Sequence, residues 1–197
     1  MEAKQVKIGA HIKNALIMLA VMTVITGIIY PLLVTGIAQL AFNSQANGSL
    51  IIKGGKAYGS QLIGQQFSDP RYFWGRLSAT SPDPYNGAAS SGSNYGPINP
   101  ALQDAVQARI KDLKSFDPDN KLPIPVDLVT YSASGLDPHI SVAAAMYQVE
   151  RVAKYRNSEP EKILPLVHAA TEGRQLGILG EPRVNVLQLN LSLDDVR

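Results

Sequence analysis

Uncharged residues fill one continuous stretch near the start of the chain. No charged residue occurs between Lys13 and Lys53, whereas charges are spread evenly through everything that follows. Within this stretch, residues 15–42 form an apolar run of 28 residues in which Gln39 is the only strongly polar side chain. About 20 apolar residues in a helix cross the hydrocarbon core of a bilayer, and a soluble helix would need a polar face. The run therefore predicts one transmembrane helix over residues 15–42.

A cleaved signal peptide is the alternative interpretation of this run. Residues 44–46 (Ser-Gln-Ala) offer a small-x-small cleavage site, but the apolar region of a signal peptide usually has only about 7 to 15 residues. We therefore expect an uncleaved anchor. Pro31 lies inside the run and removes a backbone donor, so a kink or break is expected near Tyr30.

A stripe of small and hydroxyl-bearing residues runs along the first half of this predicted helix. Ala20, Thr23, Gly27 and Tyr30 recur at spacings of three and four. In lipid, helices approach one another most closely along such stripes. Thr23, Gly27 and Tyr30 are therefore candidates for contact with a partner helix, although ordinary glycine and threonine usage in a membrane helix would give the same pattern.

Charge around the span predicts its orientation. Lys4, Lys7 and Lys13 precede it, against one acid, Glu2, and no basic cluster follows it. Positive residues are retained on the cytoplasmic side of a membrane. The chain is thus predicted to have a cytoplasmic tail (1–14), a single span (15–42) and an extracytoplasmic soluble domain (43–197).

Helix and strand signals both occur in the predicted soluble domain. Helices are predicted to begin at Asn99-Pro100, at Asp137-Pro138 and in Ser158–Glu161, because each places a capping side chain before a proline. Asp137 is accordingly assigned as a structural helix cap, and Ser158 with Glu161 as a capping box. Strands are predicted at residues 50–52, 58–63, 126–131 and 184–193, with a bulge or bend near Leu187. The expected fold class is a small mixed α/β domain.

A long segment rich in Gly, Ser, Asn and Pro separates these elements. Residues 66–97, named here the aromatic loop, hold the only tryptophan together with several tyrosines and arginines. Loops of this length inside a compact domain are usually functional, and aromatic and arginine side chains dominate interfaces. The loop is therefore expected to face a partner, with these interface candidates: Arg71, Trp74, Arg76 and Tyr85. The alternative is a loop that folds back on its own domain.

Composition excludes several kinds of function. The 15 Lys/Arg after residue 14 face 15 Asp/Glu, so no basic surface for nucleic acid is expected. The chain has no cysteine, and its three histidines lack metal-binding spacing. No metal, cofactor-binding or catalytic residue is therefore assigned.

Two segments nevertheless resemble chemical sites. Residues 132–141 contain Ser134, Asp137 and His139, which would suit a membrane-anchored periplasmic hydrolase, but no GxSxG motif is present. Residues 88–94 could be taken for a phosphate-binding loop, yet they lack the lysine and spacing of a P-loop.

Four segments resemble the KdpC family of the bacterial Kdp-type potassium-transporting ATPase, in order and behind a single N-terminal span. They are YFWGRLSATSPDPYN (72–86), SSGSNYGPINPAL (90–102), VTYSASGLDPHISVAAAMYQVERVAKYR (129–156) and LGILGEPRVNVLQLNLSL (176–193). Leu77, where proline is expected, and Tyr131, where a small residue is usual, are the departures.

The resemblance implies a non-catalytic accessory subunit in the bacterial inner membrane. Its implied partners are a channel-like potassium-conducting subunit, a P-type ATPase subunit and a small hydrophobic subunit. The complex uses ATP and potassium, and the family is described as a catalytic chaperone that raises the ATP affinity of the ATPase subunit. An extracytoplasmic domain would have to act on ATP binding indirectly.

Overall fold

The fold is described from a computed structural model that covers residues 8–195. These residues belong to two units that divide between Ser49 and Leu50. The first seven residues, which include Lys4 and Lys7 of the predicted cytoplasmic tail, and the last two lie outside the described residues. The first unit contains, in order, α1 (Ile8–Val24), a π-helical segment (Ile25–Ile29), α2 (Tyr30–Ala41) and the short α3 (Asn43–Ala46).

The first unit forms the predicted apolar helix. Ile8–Ala41 is a helical stretch of 34 residues that contains an 18-residue window with a mean hydropathy of 2.4, and it is long and apolar enough to cross a membrane. Its large apolar side chains are exposed, as expected where lipid or partner helices replace water. Gln39, the polar exception, is satisfied locally because its Oε1 accepts hydrogen bonds from Asn43 (3.0 Å) and Asn47 (3.1 Å).

Pro31 does not break the helix. The expected disruption takes the form of the π-helical segment Ile25–Ile29, which ends just before Tyr30. Proline cannot bond the carbonyl four residues earlier and clashes with it, here that of Gly27. The wider π turn around Gly27 accommodates the ring and lets α2 continue from Tyr30.

The second unit is a mixture of helices and short strands, which confirms the predicted α/β class. Its elements are β1 (Leu50–Lys53), β2 (Lys56–Ser60), α4 (Pro100–Phe116), α5 (Val126–Val129), β3 (His139–Ser141), α6 (Val142–Arg156), α7 (Pro160–Ala169), β4 (Thr171–Glu172), β5 (Arg183–Asn185) and α8 (Val186–Asp195). β1 and β2 form an antiparallel hairpin. The other three strands form a small antiparallel sheet in the order β3-β5-β4.

The central helix of the second unit is α6. Buried residues occur on most of its faces, from Ala144 to Ala153, as expected for a helix covered nearly all round. It packs against α7 and the small sheet, and α7 packs against α8. The core also includes Phe73 and Trp74 from the aromatic loop, so a segment without regular secondary structure fills the space beside α6.

Two strand predictions are wrong over most of their length, although residues 184 and 185 do lie in β5. Residues 186–195 form α8, because Val186, Leu189 and Leu193 also satisfy helical spacing and all three are buried. Asn185 supports the helix start, since its Oδ1 accepts the N–H of Gln188 (3.1 Å) as an N-cap does. Residues 126–129 form one helical turn, α5, which begins directly after Pro125.

Two cap assignments are also wrong. α6 begins at Val142, and its cap is Ser141, whose Oγ accepts the N–H of Ala144 (3.0 Å). Asp137 instead accepts the N–H of His139 (3.0 Å), which closes a turn before β3. For α7 the N-cap is Glu159, without a side-chain capping bond, so Ser158 does not form the expected capping box. The cap predicted at Asn99 is confirmed, because its side chain accepts the N–H of Ala101.

Candidate functional site

Two side-chain amides, on α6 and α8, fix the aromatic loop to the rest of the second unit. Gln148 on α6 accepts the N–H of Trp74 (2.8 Å) and donates to its carbonyl (3.1 Å). Asn190 on α8 makes the same pair of bonds with Phe73, at 2.8 and 3.0 Å. Both amides are buried. They therefore satisfy the main chain of a buried segment that no strand pairs with.

Two arginines enclose the indole ring of Trp74. The guanidinium carbon of Arg151 lies 4.5 Å from the ring centroid and that of Arg109 lies 4.8 Å from it. Both positions suit cation–π attraction. Arg109 also donates to the carbonyls of Leu128 and Gly75, and Arg151 donates to Gln148 Oε1 (2.6 Å). These contacts connect the loop to α4 and α6.

Burial of these arginines changes their acidity. Arg151 is 1% exposed, and burial, followed by the nearby charge of Arg109, lowers the pKa of its guanidinium to about 10. Burial likewise lowers the pKa of Arg109. Both groups stay protonated at neutral pH, so the loop is held around one buried and one half-buried positive charge, which bond to carbonyl and amide oxygens.

Trp74 is therefore not a surface anchor for a partner. Its side chain is 2% exposed, and its Nε1 donates to the carbonyl of Asp69 (3.0 Å). The prediction that this tryptophan faces a partner is wrong, and for this part of the loop the alternative, folding back on its own domain, is correct. The physical reason is that buried Gln148 and Asn190 provide the main-chain bonds that allow an irregular segment into the core.

Tyr85 is also held by its own domain. Its hydroxyl donates to the carbonyl of Arg76 (2.6 Å), and burial raises the pKa of the phenol to about 12. The ring lies so close to Gly64 that a Cβ there would overlap it and would also lie 2.8 Å from the carbonyl oxygen of Asp137. Gly64 is needed for this close approach, and Tyr85 connects the segment before the loop to Arg76 within it.

Arg71 and Arg76 differ in exposure. The side chain of Arg71 is exposed and pairs with Asp69 (2.7 Å), whose pKa is lowered to about 2 chiefly by the hydrogen bonds from Arg71. Arg76 is half-buried, donates to the carbonyl of Tyr131 (2.9 Å) and pairs with Asp137 (3.3 Å). Of the four candidates in the loop, Arg71 is thus the one that presents its charge on the surface.

A cavity of about 560 Å³ beside the small sheet is lined by polar side chains that include Asp137, His139 and Arg183. Asp137 contacts His139 Nδ1 (3.4 Å), and His139 Nε2 lies 3.7 Å from Glu172, which pairs with Arg183 (2.7 Å). Burial raises the pKa of Asp137, but the hydrogen bonds from His139 and the charge of Arg76 outweigh it, so this pKa lies below its ordinary value. The carboxylate is thus held ionised as a structural partner.

The hydrolase arrangement does not form. Ser134 Oγ accepts the N–H of Leu136 (3.1 Å), and Ser134 lines a neighbouring cavity of about 510 Å³ that His139 does not line. His139 faces Asp137 and Glu172 instead of a serine hydroxyl. The aspartate and histidine are brought together, but their proposed nucleophile is not, and nothing supports the hydrolase interpretation.

Residues 90–94 are likewise occupied by internal contacts. The N–H of Ser91 and the hydroxyl of Ser90 both donate to the carbonyl of Ser134, at 3.0 Å each. A Cβ at Gly92 would lie 2.9 Å from the carbonyl of Ala133. The segment is therefore docked against residues 132–135, and this contact uses the N–H of Ser91 and the hydroxyl of Ser90.

In the first unit, the predicted stripe lies on the open surface of the helix. Thr23, Gly27 and Tyr30 are all exposed. A Cβ at Gly27 would meet only the methyl group of Thr23, at 3.9 Å. Gly27 also lies within the π-helical segment, and such segments are frequent at functional positions. The stripe remains a predicted contact for a partner helix.

Sequence reasoning missed the residues that hold the loop. Gln148, Arg151 and Asn190 are polar residues within otherwise apolar helical stretches, and that contrast was the available signal. Within residues 8–195, no group of three or more His, Asp or Glu is placed to bind a metal ion.

Comparison with known proteins gives a consistent result over nearly the whole chain. Residues 12–195 match the family described as KdpC: K+-transporting ATPase, c chain. The chain is similar to the potassium-transporting ATPase KdpC subunit of Dechloromonas aromatica (strain RCB), with 63% identity over 94% of this chain and 97% of that protein. It is 65% identical to the subunit of the same name from Herpetosiphon aurantiacus, over 94% of this chain and 96% of that protein.

Proposed function

Because the chain belongs to the KdpC family of the K+-transporting ATPase, we propose that it works without a catalytic site of its own, through contacts with partner subunits. As a member of this family it is an accessory subunit of the potassium uptake complex. The proposed partners are a channel-like potassium-conducting subunit, a P-type ATPase subunit and a small hydrophobic subunit. ATP and potassium are used by the complex, and this chain needs no cofactor.

The observation that carries the proposal is how the chemically suggestive residues are used. His139 pairs with carboxylates, Ser134 caps a turn, and residues 90–94 bond to the neighbouring backbone. Trp74, a prominent binding candidate, is enclosed by Arg109 and Arg151. These arrangements favour a rigid body that presents surfaces over one that binds and converts a substrate.

The proposed topology places the N-terminus in the cytoplasm and the second unit outside it. Lys13 precedes the apolar run of residues 15–42, and the next charge in the chain is Lys53. ATP is then on the opposite side from the soluble domain. Any rise in ATP affinity would act through the membrane helix or through stability of the complex, and a coupling of about 1 to 3 kcal/mol would suffice.

Complementation of potassium uptake tests the absence of catalysis. Cells that lack this chain but express the other subunits should lose ATP-driven uptake. The wild-type chain and a double variant, Ser134→Ala with His139→Ala, should both restore it. Loss of uptake by the double variant, with the complex still assembled, would show that these side chains perform chemistry and would reject the proposal.

A further inference from the structure

An apolar loop projects from the small sheet of the second unit. Residues 174–181, named here the apolar knob, connect β4 to β5. The side chains of Leu176, Ile178 and Leu179 are 88%, 74% and 53% exposed, respectively. Three large apolar residues exposed together within four positions differ from scattered surface leucines, and such patches mark interaction sites.

The knob is an ordered turn. Gly177 donates to the carbonyl of Arg174 (3.1 Å) and Ile178 donates to that of Gln175 (3.2 Å). Gln175 and Leu179 also exchange a pair of backbone hydrogen bonds at 2.9 Å. The apolar side chains are therefore displayed on a preformed backbone, so little conformational freedom would be lost on binding.

Leucine is a poor choice at position 176 for the turn itself. Leu176 has φ 53°, in the left-handed region that asparagine and glycine adopt more readily. An apolar side chain there is unfavourable both for the backbone and for exposure to water. Residues that are locally unfavourable and yet held by surrounding structure occur frequently at functional positions. Contact between this leucine side chain and another protein would explain why leucine occupies position 176.

Charges at the base of the knob cancel in pairs. Arg174 pairs with Glu181 (2.7 Å), and Arg183 pairs with Glu172 (2.7 Å). The knob therefore carries no uncompensated positive charge to attract anionic lipid. Residues 173–182 also contain no tryptophan or tyrosine, which favour the membrane interface. A net-neutral, rigid apolar projection of this kind fits a pocket on a protein best.

We propose that Leu176, Ile178 and Leu179 insert into an apolar pocket on another subunit of the potassium-transporting ATPase complex. This inference rests on the proposed function, in which the chain acts by contact. It adds a second contact region in the soluble unit, independent of the helix stripe. The salt bridges at the base hold the turn, and the three apolar side chains make the contact.

Photo-crosslinking in the assembled complex tests the contact directly. A photoreactive phenylalanine analogue at Ile178 in the full chain, expressed with all subunits, should crosslink to another subunit of the complex. The same analogue at Leu122, which is 59% exposed in a different loop, serves as the matched control and should give at least a tenfold lower yield. Crosslinks to lipid alone, or only to a second copy of this chain, would overturn the inference.

Substitution distinguishes docking from folding. Leu176→Asn suits the left-handed backbone and removes the apolar side chain, so the chain should fold at least as well as wild type while its co-purification with the other subunits in detergent falls about tenfold. Leu122→Asn makes the same chemical change and should leave co-purification unchanged. If Leu176→Asn co-purified with the other subunits as well as wild type does, the contact proposed for the knob would be rejected, but the proposed function would remain. Failure of the wild-type chain itself to co-purify would reject the proposed function.

Discussion

The side-chain amide of Gln148 pairs with the backbone of Trp74 as a neighbouring strand would. One oxygen and one nitrogen of the amide satisfy the N–H and the carbonyl of a residue that is 2% exposed. Gln148 Oε1 also accepts a bond from Arg151, which stacks on the same indole ring. One side chain therefore connects the main chain of the loop, the central helix and a buried charge.

Removal of this amide should destabilise the second unit. Gln148→Leu keeps approximately the same volume but leaves the N–H and carbonyl of Trp74, and one donor of Arg151, without their partner. A buried group that loses its hydrogen bond costs about 1 to 3 kcal/mol, so we expect a loss of about 2 to 4 kcal/mol in the free energy of unfolding. Fluorescence of the sole tryptophan during denaturation of the full chain in detergent measures it.

Gln107→Leu is the matched control for this substitution. Gln107 is exposed on α4, and surface changes of this kind usually stay within about 0.5 kcal/mol. If both variants unfolded at the same denaturant concentration, the hydrogen bonds of the Gln148 amide would contribute nothing to stability. The loop would then be held by its apolar contacts alone.

Stability should also depend on the ionisation of Asp137. The pKa of this carboxyl is depressed in the folded chain, so its contribution is fully present above the ordinary value of 3.8 and is lost as pH falls through the lower folded value. The free energy of unfolding should therefore decline below about pH 4.

Asp137→Asn isolates this contribution. Asparagine retains an oxygen that can accept the N–H of His139 but loses the charge that pairs with Arg76. The variant should fold at pH 7, be less stable there than wild type, and show a shallower decline in unfolding free energy with acid. An unchanged acid profile would assign the decline to other carboxyls.

Sequence patterns predict two of the helices well. α4 follows from the cap at Asn99 and the helical spacing of its apolar residues, and the apolar helix follows from the uncharged run. At the C-terminus, leucines at every second position satisfy strand alternation as well as helical spacing, so the pattern alone could not decide for α8. Asn185, which caps that helix, was the local signal that the alternation obscured.

The burial of Trp74 could not be read from local sequence. A segment rich in Gly, Ser and Pro has no periodicity, so the sequence alone predicts a surface position for its tryptophan. Its burial depends on Gln148 and Asn190, which are more than 70 residues away in the chain and match no motif. Long-range bonds from side chains to backbone are a property of the tertiary structure, and one sequence does not show them.

The sidedness of the membrane is testable because the chain contains no cysteine. Ala88→Cys places a single thiol at an exposed position of the aromatic loop, and Ala10→Cys places one before the apolar run, where the helix is also exposed. A membrane-impermeant maleimide should label the first in intact spheroplasts and the second only after lysis. The reverse labelling pattern would place the second unit in the cytoplasm, on the same side of the membrane as ATP. Direct contact with the nucleotide would then be worth testing.

The stripe on the membrane helix should tolerate added bulk poorly. Gly27→Leu introduces a large side chain where Thr23 and Tyr30 are predicted to meet a partner helix, and close approach in lipid depends on small residues. We expect co-purification of the partner subunits to fall by at least tenfold, equivalent to about 1.4 kcal/mol of association free energy.

Gly36→Leu is the matched control, because Gly36 is equally open, with no atom within 4 Å of an added Cβ, and lies outside the stripe. Equal losses in both variants would mean that bulk anywhere on the helix is harmful. Equal retention would show that Gly27 does not face a partner, and the second unit would then carry the contacts that hold this chain in its complex.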